Sequence, residues 1–291
     1  TFETPKSVFM LTELITGGEL HVAIRRIPTV LSRIQAQFYT GSIVLALEQL
    51  ADRHIVYRDL KPENVMLDSQ GYLKMIDFGI SKKLQEGQDR TYTLVGTPHY
   101  MAPEVINGTG HGVASDLWCL GVLHFEFVCG YLPFADELDD PTEVCKQVLE
   151  AELEFPPEYR DELGKRLISG LLQRDVDMRL GSGIDGYDEV KNALFFRAGH
   201  PGTVTLFDKL MGRSLEPPVI PDGEEFCPPE EEIELTDLAA EAEDASDWME
   251  VRSGRSQKST KSTATAKDEL RRSVKSAKSD KSNKSNATSR G

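Results

Sequence analysis

Cysteine is scarce in this chain, with four in 291 residues, and no two of them have the spacing of a metal knuckle or a redox pair. That excludes a disulfide-stapled scaffold and fits a reducing, cytoplasmic setting. Cys119 and Cys129 fall in an apolar stretch, where ordinary core thiols sit. Long hydrophobic runs are also missing. The longest, residues 117–128, is interrupted by His124 and Glu126 and falls short of the roughly 20 residues a bilayer span needs. No secretory leader is visible, and the sequence leaves membrane association open. Positive charge is in deficit, with 33 Lys and Arg against 48 Asp and Glu, a net of -15. A nucleic-acid partner is not expected from that balance.

The charge is unevenly spread. Residues 222–250 hold thirteen acidic side chains and no Lys or Arg, whereas residues 251–291 hold twelve basic and three acidic ones. No aromatic residue follows Trp248, so 251–291 is expected to be a disordered basic Ser/Lys-rich tail that cannot bury enough surface to fold. Upstream, residues 8–11 read as a buried strand, and Glu19 to Arg26 as a short helix after Gly17-Gly18. Ser32 and Gln35 give a capping-box signature for a helix reaching about Leu50, with Ile34, Phe38, Leu45 and Leu50 facing inward. Residues 65–67 and 72–76 read as strands around a polar turn. Residues 80–112 read as a long ordered loop. Residues 114–129 read as a helix that is apolar almost all round, hence buried. Gly181-Ser182-Gly183-Ile184-Asp185-Gly186 has the glycine spacing of a nucleotide loop, but it follows a helix end and lacks flanking strands, so it reads as a turn.

The chemistry is concentrated in an ordered set: Tyr57-Arg58-Asp59-Leu60-Lys61-Pro62-Glu63-Asn64, then Asp77-Phe78-Gly79 after a strand, then Ala102-Pro103-Glu104. In this order it resembles the protein-kinase signature, apart from Tyr57 at the first position. Phosphoryl transfer from ATP concentrates negative charge between two oxygens, so a catalyst must place a cation, orient the hydroxyl and accept its proton. Asp59 suits the proton. The amide oxygen of Asn64 and the carboxylate of Asp77 are hard ligands suited to Mg²⁺. Lys61 can neutralise the transferred phosphate, and Phe78 can anchor Asp77 by packing.

Over residues 1–220 the chain resembles the AGC group of serine/threonine kinases, most of all the cGMP-dependent kinases of alveolate protists. The runs carrying this are Phe9-Met10-Leu11-Thr12-Glu13-Leu14, Ile76-Asp77-Phe78-Gly79, and residues 92–104. The resemblance implies an α+β protein-kinase-like fold, mainly its helical C-terminal lobe. It implies a partial kinase domain over 1–216 and an acidic AGC-type tail over 217–250. ATP and Mg²⁺ would be the cofactors. The hinge backbone of Glu13 and Ile15 would hold adenine, above Met66 and beside Thr12 as gatekeeper. Glu19, Glu63 and Glu126 would receive basic side chains of protein substrates, and Glu19 would also lie beside the nucleotide. Thr97 would contact Asp59 and Lys61. Thr93 would be the activation-loop phosphosite, with Arg58 and Lys82 as its charge partners. Glu104 and Arg179 would form a buried ion pair, and Asp116 would hold the catalytic-loop backbone. Phe226 would be a tail contact with the nucleotide. The Gly-rich loop, strand lysine and helix glutamate that the family places before the hinge do not precede Met10, and Lys6 lacks their context. The chain is therefore expected to be a fragment or a processed product, with cyclic-nucleotide-binding domains upstream. A cAMP-dependent-like kinase and a non-catalytic binding module are the alternatives.

Overall fold

The computed structural model describes residues 2–3, 8–9, 11–27, 29–85, 87–200 and 202–223. Cys227, Phe226 and the two tail segments beyond Gly223 lie outside them, as do Lys6 and Met10. Thr1–Leu14 and Ile15–Glu225 belong to separate compact units. In the first, β1 (Phe2–Glu3) pairs antiparallel with β2 (Val8–Phe9). The strand expected over 8–11 is thus shorter, and Leu11 to Leu14 are exposed without regular structure.

The second unit is built around two helices that pack against each other in its core. The sequence of α2 (Arg33–Ala51) begins at Ser32, whose N–H and hydroxyl both donate to Gln35 Oε1, at 2.9 and 2.8 Å. This supplies part of the capping box legible in the sequence. The face it buries matches expectation at Phe38, is half-buried at Leu45 and Leu50, and differs at Ile34. Ile34 is 75% exposed, while Ala36 to Gly41, Ile43, Val44 and Leu47 are enclosed. The helix is covered on several sides, by α4 (Ala114–Cys129), α7 (Tyr187–Lys191), α8 (Leu194–Arg197) and α9 (Leu206–Met211), so its core residues do not follow one stripe. Tyr39 meets Phe127 of α4 at 6.4 Å between ring centroids. Thr40 and His124 Nδ1 share a 2.8 Å hydrogen bond inside the contact.

Helix α4 is buried from Ser115 to Phe125, because almost every side chain in it is apolar. It stops at Gly130, which adopts the left-handed conformation (φ 85°) that a side chain would resist. Helix α6 (Glu162–Leu171) packs against it, α3 (Pro103–Asn107) meets α5 (Pro141–Glu150), and α1 (Leu20–Arg25) meets residues 65–67. Asp140 and Asp161 cap α5 and α6 by accepting backbone N–H bonds in their first turns.

Two small sheets place the functional loops. β3 (Ile55–Val56) pairs with β6 (Lys82–Lys83), and β4 (Val65–Leu67) pairs with β5 (Leu73–Met75), both antiparallel. The stretch 80–112 therefore is not loop throughout: it contains β6, a 3₁₀ turn at Pro98–Tyr100 and α3. The β4–β5 turn is clamped by the chain beyond α9. A Cβ on Gly71 would lie 2.3 Å from Val219 O, Tyr72 donates to Leu215 O at 2.6 Å, and Arg213 pairs with Asp68 at 2.9 Å.

Candidate active site

The β4–β5 hairpin brings Asn64 and Asp77 to one end. Val65 is registered with Met75, and the next rung is closed by Ile76 N–H donating to Asn64 O at 3.0 Å. Asp77 follows immediately, in the left-handed region (φ 53°), with its Oδ1 accepting from Gly79 N–H at 3.0 Å. β3 and β6 perform the same service for the loop ahead. They tie the segment before Tyr57 to the segment after Gly79.

Between these supports the loop carrying Asp59 is fixed at several points. Asp116, buried at the start of α4, accepts the backbone N–H groups of Tyr57 and Arg58, each at 2.8 Å. Arg58 is thereby held at φ 74°, a strained conformation for a residue with a Cβ. Burial pushes the Asp116 carboxyl up to about 6, against the pull of those two N–H groups and Arg58. The Tyr57 hydroxyl, pushed up by burial, stays protonated and donates to Ile76 O, while its ring meets Phe78 edge-on at 5.3 Å.

Asp59 stands at the centre. Its Oδ1 accepts from the Thr97 hydroxyl at 2.9 Å, and its Oδ2 accepts from Asn64 Nδ2 at 2.9 Å. Lys61 Nζ lies 3.1 Å from Oδ2 and donates to Thr97 Oγ1 at 3.1 Å. Asn64 directs its amide nitrogen at Asp59, at both the side chain and the backbone oxygen, which leaves its amide oxygen as the available acceptor. That oxygen and the Asp77 carboxylate are two hard donors at one end of one hairpin. Among the described residues no three His, Cys, Asp or Glu side chains converge into a cage. Two protein oxygens fit a Mg²⁺ ion, which commonly takes its other ligands from phosphates and water.

A second acidic feature flanks this centre. Glu126 of α4 is half-buried and accepts from the Tyr100 hydroxyl at 2.6 Å. Burial pushes its carboxyl up and the negative charge of Glu63 adds to that, while the Tyr100 bond opposes it. Glu63 is exposed beside the catalytic loop. Glu19 is exposed at the start of α1, 3.0 Å from His21 Nδ1, and bridges by its backbone to Met66 of β4. Thr12 and Glu13 belong to the first unit, and Ile15 and Met66 to the second, so their adenine contacts stand as expectations.

The remaining residues singled out in the sequence fall in the second unit. Glu104 and Arg179 form a bidentate pair, at 2.7 and 2.8 Å, with Arg179 fully enclosed. Thr93 and Lys82 are exposed. Cys119 is buried, and Cys129, half-buried, has its thiol pushed up to about 12 by burial. Sequence reasoning missed two participants. Tyr100, which orients Glu126, stands in the run before Ala102-Pro103-Glu104 and its aromatic hydroxyl was the available signal. His111 is paired to Thr91 through both backbone bonds, a long-range bridge that no local pattern marks.

A strained loop that presents one carboxylate between a lysine and two oxygen ligands has the parts that phosphoryl transfer requires. The family profile for the protein kinase domain matches residues 1–196, and the chain belongs to that family. It is 48% identical over 244 residues to a cGMP-dependent protein kinase of Plasmodium berghei, covering 84% of this chain and 27% of that one. A cGMP-dependent protein kinase of Toxoplasma gondii is 49% identical over 227 residues, with 78% and 22% covered. The cAMP-dependent protein kinase catalytic subunit PRKX of Mus musculus is 42% identical over 214 residues, with 74% and 57% covered. The chain thus spans about a quarter of the length of these cGMP-dependent relatives. No helix of the described residues is long and apolar enough to cross a membrane.

Proposed function

We propose that this chain supplies the catalytic centre of a serine/threonine protein kinase that transfers the γ-phosphate of ATP to hydroxyls in basic sequences, with cGMP as the controlling nucleotide. The observation that carries this is the Asp59 carboxylate, held at once by Asn64, Thr97 and Lys61. Asp59 orients the substrate hydroxyl and takes its proton as the oxygen attacks phosphorus. Lys61, already at the carboxylate, faces the negative charge that develops on the phosphoryl oxygens. Thr97 keeps Asp59 and Lys61 in register. Asn64 and Asp77 would hold Mg²⁺, which when bound neutralises the phosphate oxygens. Glu63 and Glu126 present an acidic surface to arginines of the substrate, with Glu19 as a further acidic contact. Ile15 and Met66 would contribute apolar contacts to the adenine.

The resemblance in sequence to the cGMP-dependent kinases supports the choice of cyclic nucleotide, and cyclic-nucleotide-binding domains would be the regulatory partners. The 42% identity to a cAMP-dependent catalytic subunit supports cAMP control as a second reading. The test is transfer of labelled phosphate to a serine peptide carrying two arginines, with cGMP, with cAMP and with neither, using the full-length protein. Stimulation by cGMP at lower concentration than by cAMP is the expected result. Transfer stimulated by cAMP alone favours the second reading, and no transfer in any arm overturns both.

A further inference from the structure

The glycine turn at 181–186 forms one rim of a cleft of about 380 Å³. The end of α2, the start of α4 and the start of α7 supply its other walls. Glu48, Asp52, Asp185 and Asp188 all line it, so the anion that the glycine spacing suggests is excluded. Lys191, the base beside them, is already committed: its Nζ bonds Glu48 at 2.6 Å and Asp188 at 2.8 Å. Among the described residues Asp52 and Asp185 have no ion-pair partner. Gly186 takes φ 49° and ψ -130°, a backbone that side chains resist, and a Cβ there would meet nothing within 4 Å. The rim is therefore open at that point.

Carboxylates on a surface need no ligand, but the tyrosine among them does. Tyr187 lines the cleft and is 8% exposed, and its hydroxyl is buried with no hydrogen-bond partner among the described residues. The Ser182 hydroxyl, on the turn, is likewise buried and unpartnered. Unmet buried hydroxyls are costly, and folded proteins meet nearly all of them. Burial is the larger cause of the raised Tyr187 pKa, but Asp116, Glu48 and Asp52 add to it, so the hydroxyl stands in the field of the cleft's own carboxylates.

We propose that this cleft is a binding site for the guanidinium group of an arginine on a partner protein. The four carboxylates call for a cation. Among the described residues no three His, Cys, Asp or Glu side chains converge on one point, so a bare metal ion lacks its cage. A guanidinium has five N–H donors in a flat fork and can serve a carboxylate and both hydroxyl oxygens at once. An ammonium has three donors about a single point and is more strongly hydrated, so it costs more to bring in. The cleft is separate from the substrate flank, since none of Glu19, Glu63 and Glu126 lines it. It does back onto the catalytic loop. Val113 and Ala114 form part of its wall, and Asp116, two residues on, holds the backbone of Tyr57 and Arg58.

The test is NMR of the full-length protein carrying ¹³C-labelled tyrosine, titrated with a short peptide that has one arginine and no hydroxyl side chain. A matching peptide with citrulline keeps the shape and removes the charge. The Tyr187 signal, assigned by its loss in Tyr187→Phe, should shift with the arginine peptide and stay still with the citrulline one. Asp52→Asn together with Asp185→Asn should raise the half-saturating concentration about tenfold. Glu126→Gln, at the substrate flank, should leave the Tyr187 response as it was. A Tyr187 signal that ignores both peptides overturns the proposal, and so does one that answers both alike. A response unchanged by the paired aspartate substitutions, or abolished by Glu126→Gln, also overturns it, because the peptide then acts from elsewhere. Phosphate transfer plays no part in the readout, so the result stands apart from the assignment of the kinase centre.

Discussion

Two arginines meet the segment between Asp77 and α4 in opposite states. Arg179 is fully enclosed, yet all three of its nitrogens are bonded: Nη1 and Nη2 to Glu104, Nη1 also to Ala114 O, and Nε to Gln173 O. Its guanidinium also lies 5.4 Å from the Trp118 ring centre. Arg58 is less enclosed, has no carboxylate bonded to its guanidinium, and leaves Nη1 unpartnered. Burial lowers its pKa, and only Asp116, committed to the backbone, opposes that. The first arginine closes a structure. The second leaves one of its buried nitrogens unmet. Satisfaction of the donors, more than depth, separates a structural charge from a functional one.

The comparison breaks if both arginines behave alike on removal. Arg179→Met strands Glu104 without a partner and should lower stability by about 3–5 kcal/mol. Arg58→Met strands no carboxylate and should cost about 1 kcal/mol, the lost bond to Ile80 O. Urea midpoints of the two variants check this, and equal losses would refute the distinction.

Acid should sharpen it further. His124 is held at about 3 and His111 at about 4, both by burial, from an unfolded value of 6.5. Between those values the unfolded chain binds the extra protons, so stability is present above pH 6.5 and falls as the pH drops toward 4. Asp116 acts the other way. Its raised value of about 6 means that its contribution is full below 3.8 and lost as the pH rises through 6. Two histidines against one aspartate leave a net loss of about one proton, roughly 1.4 kcal/mol per pH unit near pH 5. Urea midpoints at pH 7.5, 6 and 5 measure it. His124→Leu should flatten the slope, and an unchanged slope would remove His124 from the account.

The smallest effect concerns the acidic flank. Glu126→Gln keeps an acceptor for Tyr100 but loses the charge facing substrate. It should raise KM for an arginine-containing peptide about tenfold, or 1.4 kcal/mol, with kcat little changed. Steady-state kinetics with arginine and citrulline peptides checks it, since the citrulline peptide should show no difference between the two enzymes.

What could be read in advance follows from how local each signal is. Asp59 and Asn64 are five residues apart on one loop, so the chain itself sets their proximity, and the strand before Asp77 marks the other end of the hairpin. Ser32 and Gln35 are three apart, and their bonds form with little help from the rest of the fold. Ile34 misled because α2 is packed on several faces, so a single inward stripe does not exist. Helix α3 and the β6 strand were not visible within 80–112 because elements of five and two residues are marginal alone and depend on tertiary contacts. His111 had no local marker at all. Its surroundings are assembled from the catalytic loop, β6, the segment at Thr91 and the start of α4, across more than fifty residues of chain.

The central claim is that Asp59 is the carboxylate that orients and deprotonates the substrate hydroxyl. Asp59→Asn keeps the shape and an acceptor for Thr97 but cannot take the proton. Measured on a basic peptide in the full-length protein, kcat should fall by a factor of about 10² or more, with KM for ATP nearly unchanged. A fall of less than about tenfold, some 1.4 kcal/mol of barrier, would contradict the assignment.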